Sequence, residues 1–147
     1  VIDREEILIS VRAEYVAKML KGEKTVELRR RNLRVSPGTR VWIYSKAPQG
    51  AIKAHAKITA VVTGDPSHLW QKFRSRVGVT QQEFQSYFDT VDEGCALVLS
   101  NVVKLRKHIS LQTMRERVHS FHPPQFYTKL RGNEPMLRAL RAYDNRS

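Results

Sequence analysis

Apolar residues recur along this chain with two alternating periods, and the changes of period mark out its elements. Ile7 to Val11 is a short β-branched run and predicts a strand. From Arg12 the spacing lengthens: Ala13, Val16, Ala17 and Leu20 recur as on one helix face, and Gly22 supplies a stop. Lys24 to Arg30 predicts a second strand. Its alternation sends Val26 and Leu28 into a core and puts Thr25, Glu27, Arg29 and Arg31 on the other face. Ser36, Pro37 and Gly38 mark a turn, and Arg40 to Ser45 then reads as a strand buried on both faces. Another turn at Pro48, Gln49 and Gly50 leads into Ala51 to Val62, a long strand whose alternation leaves one face half exposed.

Two helices are expected next. Asp65 and Pro66 form a cap and first turn before Leu69, Trp70 and Phe73, and Thr80 with Glu83 has capping-box spacing before Phe84, Tyr87 and Phe88. They read as a lid or flank. Gly94 to Leu105 returns to β character, with Ser100 and Asn101 at a bulge or turn. Ser110 caps a short helix through Val118, Phe121 to Tyr127 is a loop stiffened by Pro123 and Pro124, and Met136 to Leu140 lies in a closing basic helix at about 134–143. Strands in series, one helix after the first and a helical excursion in the middle, predict an α+β fold around a small mixed β-barrel with flanking helices.

The 147 residues and 41% hydrophobic content fit a single domain, 1–147, with one sizeable core. Charge narrows the partners. Lys and Arg total 26 against 14 Asp and Glu, a net charge of +12, and the segment from Asn101 to Ser147 holds ten Lys or Arg against three acidic residues. Such an excess favours a polyanion, and no apolar run approaches the roughly 20 residues of a membrane-spanning helix, so RNA or DNA is the expected partner and a membrane is not. Cys95 stands alone, so no internal disulfide and no cysteine-built zinc site can form. With no leader at Val1, a cytoplasmic location is the expectation.

The candidate chemistry concentrates in GEKTVELRRR, Gly22 to Arg31. One carboxylate, Glu27, sits among Lys24, Arg29, Arg30 and Arg31 on a rigid element. Two readings stay open: Glu27 pairs with Lys24 or Arg29 to hold the barrel mouth together, or the cluster contacts a ligand. As an acid–base couple, Lys24 and Glu27 oppose each other, because burial lowers the basicity of a lysine and a nearby carboxylate restores it. Tyr44, Ser45 and Lys46 follow a buried strand and are expected at the same cavity, where a tyrosine can stack on a base and a serine can bond its edge; the alternative for Tyr44 is a barrel residue with its hydroxyl at the rim. Gln125 offers a donor and an acceptor to a base, and Phe126 anchors its loop. The five histidines show no metal-ligand spacing with carboxylates, and no nucleophile elbow is present.

The string GEKTVELR matches the pattern Gly, any, Lys, any, any, Glu, any, Arg, and so resembles the ASCH domain, a branch of the PUA-like barrels. ILISVRAEYVAKMLKGEKTVELRRR resembles that family's opening strand, helix and motif strand, RVWIYSKAP its next strand and turn, and FHPPQFYTKL its proline-rich closing segment, so the resemblance spans about 7–130. It implies a PUA-like barrel that binds RNA, or as a second alternative DNA in a transcription regulator, in a basic cleft beside the motif strand. Lys24, Thr25, Glu27, Arg29, Arg30, Arg31, Tyr44, Ser45, Lys46 and Gln125 are the expected nucleic-acid contacts. Some family members are hydrolases, acting on acetylcytidine through a Lys and a Thr of the motif strand, or on RNA with a metal ion. The Lys matches Lys24, whereas Glu27 stands where the acetylcytidine enzymes carry the Thr. That exchange moves the expectation from catalysis toward recognition. No cofactor is implied, except that a nuclease admits a divalent metal; if the protein is an enzyme, Lys24 and Glu27 carry the catalysis.

Overall fold

A computed structural model describes residues 5–144. Its strands are β1 (Glu6–Val11), β2 (Val26–Arg29), β3 (Arg40–Ser45), β4 (Ala51–Gly64), β5 (Gly94–Ser110) and β6 (Tyr127–Lys129), and its helices are α1 (Ala13–Leu20), α2 (Pro66–Phe73), α3 (Gln81–Tyr87), α4 (Leu111–Arg117) and α5 (Glu134–Asp144). The sheet runs in the order β2-β5-β4-β3-β1-β6. It is mixed, because β1 and β3 pair in parallel while every other neighbouring pair is antiparallel. The sheet curls into a half-barrel with helices on its flanks, as the α+β pattern predicts.

Local chemistry accounts for most of these elements. The helix α1 ends where Gly22 takes a left-handed φ of 78° and its N–H returns to the Met19 carbonyl at 3.1 Å. Asp65 caps α2 by accepting from the His68 N–H, and Thr80 with Glu83 closes the capping box of α3. Three apolar clusters hold the layers. Ile7, Ile9, Val41, Ile43, Ala54, Leu97 and their neighbours fill the inside of the half-barrel. Leu8, Trp42, Tyr44 and Ile52 face the other way, against Met114 of α4 and Leu137 and Leu140 of α5. The third cluster joins Val26, Leu28 and Ala96 to Leu69, Phe73, Phe84 and Phe88, so α2 and α3 pack on the outer face of β2 and β5. Trp70 lies against Phe84 with ring centres 5.0 Å apart, which uses these aromatics as core.

Three elements depart from the sequence reading. The strand expected over Lys24–Arg30 shortens to Val26–Arg29: the Thr25 carbonyl still accepts from the Leu99 N–H of β5 at 2.9 Å, but the Thr25 N–H turns to the Arg76 carbonyl at 3.0 Å. The expected strand Gly94–Leu105 runs on to Ser110, passing Asn101 at φ 51° with shifts of register against β4. The aromatic loop ends in a short strand, β6, where Ile7 to Ile9 draw in Tyr127 to Lys129 as antiparallel partners.

Candidate functional site

The motif strand lies at one edge of the sheet, with Val26 and Leu28 turned to α2 and α3 and with Glu27 and Arg29 turned inward, as alternation requires. All of the charge is buried. Lys24 is 1% exposed, Glu27 6% and Arg29 7%. The guanidinium of Arg29 donates through Nε at 3.1 Å and Nη2 at 2.7 Å to Oε2 of Glu27. Its Nη2 also donates to the Ser10 carbonyl of β1 at 2.9 Å, and Nη1 to the Phe126 carbonyl just before β6 at 3.1 Å. Because β2 and β6 are the two edges of the sheet, this one side chain spans the gap that the half-barrel leaves open. Its fork of five donors makes that possible.

Lys24 approaches from the coil before β2. Its Nζ donates to the Val77 carbonyl at 2.6 Å and lies 3.5 Å from Oε1 of Glu27 and 5.0 Å from the centre of the Tyr15 ring. Lys18 of α1 makes the matching bond to the Gly78 carbonyl at 2.7 Å, so two lysines tie the α2–α3 connection to α1 and to the coil before β2. Gly78 is required there: its φ is 66°, and a Cβ would stand 3.0 Å from that of Lys24. Burial pulls the Lys24 pKa down from its ordinary value, Glu27 opposes that shift and Arg29 adds to it. Burial likewise raises the Tyr15 hydroxyl, with Glu83 contributing, and the Tyr87 hydroxyl, which donates to the Leu28 carbonyl at 3.1 Å.

The sign of the Lys24 shift makes a solution prediction. Below 10.5 the unfolded Lys24 is protonated, whereas the folded one gives up its proton sooner, so the unfolded chain binds more protons between the folded value and 10.5. Stability contributed by this group therefore rises with pH across that window and is complete above it. Urea unfolding of wild type and Lys24→Met across the alkaline range is expected to show their difference in stability changing with pH in wild type's favour. A constant difference would contradict it.

These groups lie in a cleft of about 590 Å³ that is also lined by Ser10, Val11, Arg12, Tyr15, Lys46 and, from α3, Gln82, Glu83, Phe84 and Tyr87. Of the residues read from the sequence, the cleft gathers Lys24, Glu27, Arg29 and Lys46. The rest lie elsewhere. Tyr44 shares the outer face of β3 with Trp42 and packs toward Phe121, since its neighbour Ser45 takes the inward position. Ser45 is fully buried and its Oγ has no hydrogen-bond partner among the described residues, yet it does not line the cleft. Thr25 accepts from Nε of Arg76 at 2.9 Å, Arg30 reaches the Asp89 carbonyl at 3.3 Å, and Arg31 covers the Phe126 ring at 4.7 Å. Gln125 is exposed beside that ring. Sequence reasoning missed Arg12, Tyr15 and the α3 residues. Tyr15 adjoins the apolar stripe of α1 and was readable as a rim position, but nothing local in α3 announces that it faces the motif strand.

The cleft is poorly suited to a divalent cation. Glu27 is its one deeply buried carboxylate, Oε2 is occupied by two Arg29 donors, and Oε1 faces the Lys24 ammonium. A hard cation needs several free oxygens, and no cluster of three His, Cys, Asp or Glu residues suited to a metal occurs among the described residues. Among those residues, too, no helix is long and apolar enough to cross a membrane.

A curled mixed sheet with a charged cleft under a helical flank defines a PUA-like half-barrel of the ASCH type. Comparison with known proteins agrees on both levels. A family model described as "Domain of unknown function (DUF365)" matches residues 6–118. An "ASCH domain-containing ribonuclease" of Zymomonas mobilis is 33% identical over 132 residues, covering 90% of this chain and 88% of that protein. The crystal structure of ASCH from Zymomonas mobilis superposes with a TM-score of 0.87 at 31% identity, over 95% of this chain and 96% of the other. A hypothetical protein from Leishmania major, 11% identical with a TM-score of 0.63 over 98% of this chain and 97% of its own, shares the fold alone. The chain belongs to the ASCH domain family.

Proposed function

We propose that this protein is an RNA-cleaving enzyme whose cleft holds a single strand against Lys24, Glu27, Arg29 and Lys46. The observation that carries the reading is the 33% identity, along nearly the whole chain, to a protein named a ribonuclease. It reverses the weighting drawn from Glu27, which favoured binding without turnover. The cleft supplies support of its own, because a buried lysine whose pKa is lowered by burial beside a carboxylate is an arrangement suited to proton transfer.

The chemistry follows from those groups. Lys24 as a free amine takes the proton from a ribose 2′-hydroxyl, the 2′-oxygen bonds to phosphorus, and the bond from phosphorus to the 5′-oxygen breaks. Lys46, exposed at the cleft rim, protonates the departing 5′-oxygen and leaves a 2′,3′-cyclic phosphate. Glu27 holds the Lys24 cation once formed, and Arg29 fixes the carboxylate while adding positive field toward the phosphate. Arg30 and Arg31, at the end of the same strand, attract neighbouring phosphates without reading sequence. This route needs no metal. Wild-type protein incubated with a uridine-rich oligoribonucleotide is expected to release fragments ending in cyclic phosphate, at the same rate with and without a chelator, by gel and mass spectrometry. No fragments from a clean preparation would remove the proposal, and cleavage abolished by chelator would remove the mechanism.

A further inference from the structure

The strand β5 carries an irregularity whose exposed side chains neither the core nor the cleft uses. Ile52 pairs with Ile109 and Ala54 with Lys104, so between these pairs β4 contributes only Lys53 while β5 contributes Leu105, Arg106, Lys107 and His108. Leu105 is fully buried in the outer core and pins the insertion, which leaves Arg106, Lys107 and His108 exposed on a bulge. Bulges of this kind re-aim side chains. Here everything re-aimed is basic.

Three observations give the bulge a partner. First, its cations are not neutralised: among the described residues none of Lys53, Lys104, Arg106 or Lys107 has a carboxylate within ion-pair distance. Residues 28–64 and 94–115 contain no Asp or Glu at all, so β3, β4 and β5 supply no acid of their own beside these cations, and Asp144 of α5 pairs with Arg40 and His55 instead. Second, the cations converge, since Lys53 and Lys104 both push the His108 pKa down, after burial as the larger cause. Third, the bulge is near the cleft. The Gly50 N–H returns to the Lys46 carbonyl at 3.5 Å, and from Gly50 to Lys53 is three strand residues, about 10 Å. Among the described residues, the two exposed large apolar side chains stand at the two places in question, Tyr87 on the cleft wall and Val103 next to Lys104.

We propose that the β5 bulge is a second RNA contact, holding the phosphates of a single strand that leaves the cleft past Lys46. This rests on RNA being the substrate and adds a site outside the one where the strand is cut. The bulge contributes affinity for long strands and nothing to the chemical step.

The test separates the two claims. A fluorescein-labelled 2′-O-methyl oligouridylate, which lacks the attacking hydroxyl, is titrated over a range of salt with wild type, with Lys104→Gln/Arg106→Gln/Lys107→Gln, and with Lys21→Gln/Lys72→Gln/Arg74→Gln, an equal charge change on exposed positions elsewhere. For three lost phosphate contacts the slope of log K against log salt should become shallower by about 2 in the bulge variant, at about 0.7 per contact, and should stay near wild type in the other. In parallel, cleavage of an RNA dinucleotide, too short to reach the bulge, should proceed at the wild-type rate. If the two triple variants bind alike, or if the bulge variant loses dinucleotide cleavage, the inference is wrong. If wild type cleaves nothing but the bulge variant alone loses salt dependence, the ribonuclease reading fails and the bulge stands.

Discussion

Replacing Arg29 by Met is expected to lower the free energy of unfolding by about 3–5 kcal/mol, the cost usual for breaking a buried ion pair from one side. The reasons add in one direction. Glu27 loses both donors to Oε2 and stays buried with only the longer contact to Lys24, while the Ser10 and Phe126 carbonyls lose the guanidinium that reaches them. Each orphaned acceptor costs on the order of 1–3 kcal/mol when water cannot reach it, and the edges of the half-barrel are no longer bridged. In thermal unfolding the loss corresponds to a fall in midpoint on the order of 10 °C for a chain of this size. Arg29→Lys keeps the charge but not the fork, so it should recover only part of the deficit. Adding Glu27→Leu to Arg29→Met should also restore part of it, because the uncompensated carboxylate is removed. A loss below about 1 kcal/mol in Arg29→Met would mean that the seam is held by the apolar core alone.

Lys24→Met separates structure from chemistry. It should reduce RNA cleavage by a factor of about 10² to 10⁴, the range usual for removing a proton-transfer group, while changing stability by no more than about 1 kcal/mol. The contrast with Arg29 comes from what is left behind. Without Lys24, Glu27 still has both Arg29 donors, and Met fills the space of the lysine stem without the burial cost that lowers the Lys24 pKa. The Val77 carbonyl loses its donor and Glu27 Oε1 loses its 3.5 Å contact, but the carboxylate stays paired through Oε2. Single-turnover cleavage alongside urea unfolding reads both quantities in one preparation. If Lys24→Met keeps wild-type cleavage, the lysine serves only to anchor the loop after α2; if it unfolds the protein, its buried bond outweighs its desolvation.

Much of the architecture was readable before any coordinate, and for identifiable reasons. The capping box at Thr80 and Glu83, the stop at Gly22 and the alternation through Val26, Glu27, Leu28 and Arg29 are local devices, each complete within a few residues. The pattern beginning at Gly22 also pointed to the ASCH family, which the comparisons bear out. The expectation that Glu27 either closes an ion pair or faces a ligand posed the two as alternatives. The molecule has the closed ion pair, and that pair lies in an open cleft, so one does not preclude the other. Tyr44 was expected either at the cavity, with Ser45 and Lys46 at the end of a buried strand, or as a barrel residue; adjacent strand residues point to opposite faces, and the face of Tyr44 belongs to α4 and α5.

By itself, then, the sequence determined which side chains share a face of each element, where helices start and stop, and that the charge excess is positive. These follow from the periods of the helix and strand and from capping, which act over a few residues. Tertiary structure alone decided which faces meet. The Val77 carbonyl that receives Lys24 is 53 residues away, and the Phe126 carbonyl that receives Arg29 is 97 residues away. Burial of those charges, the lowered pKa of Lys24 and the wall that α3 gives the cleft all depend on such distant closures. So does the bulge on β5, since an extra residue in one strand exists only against the count of residues in its partner.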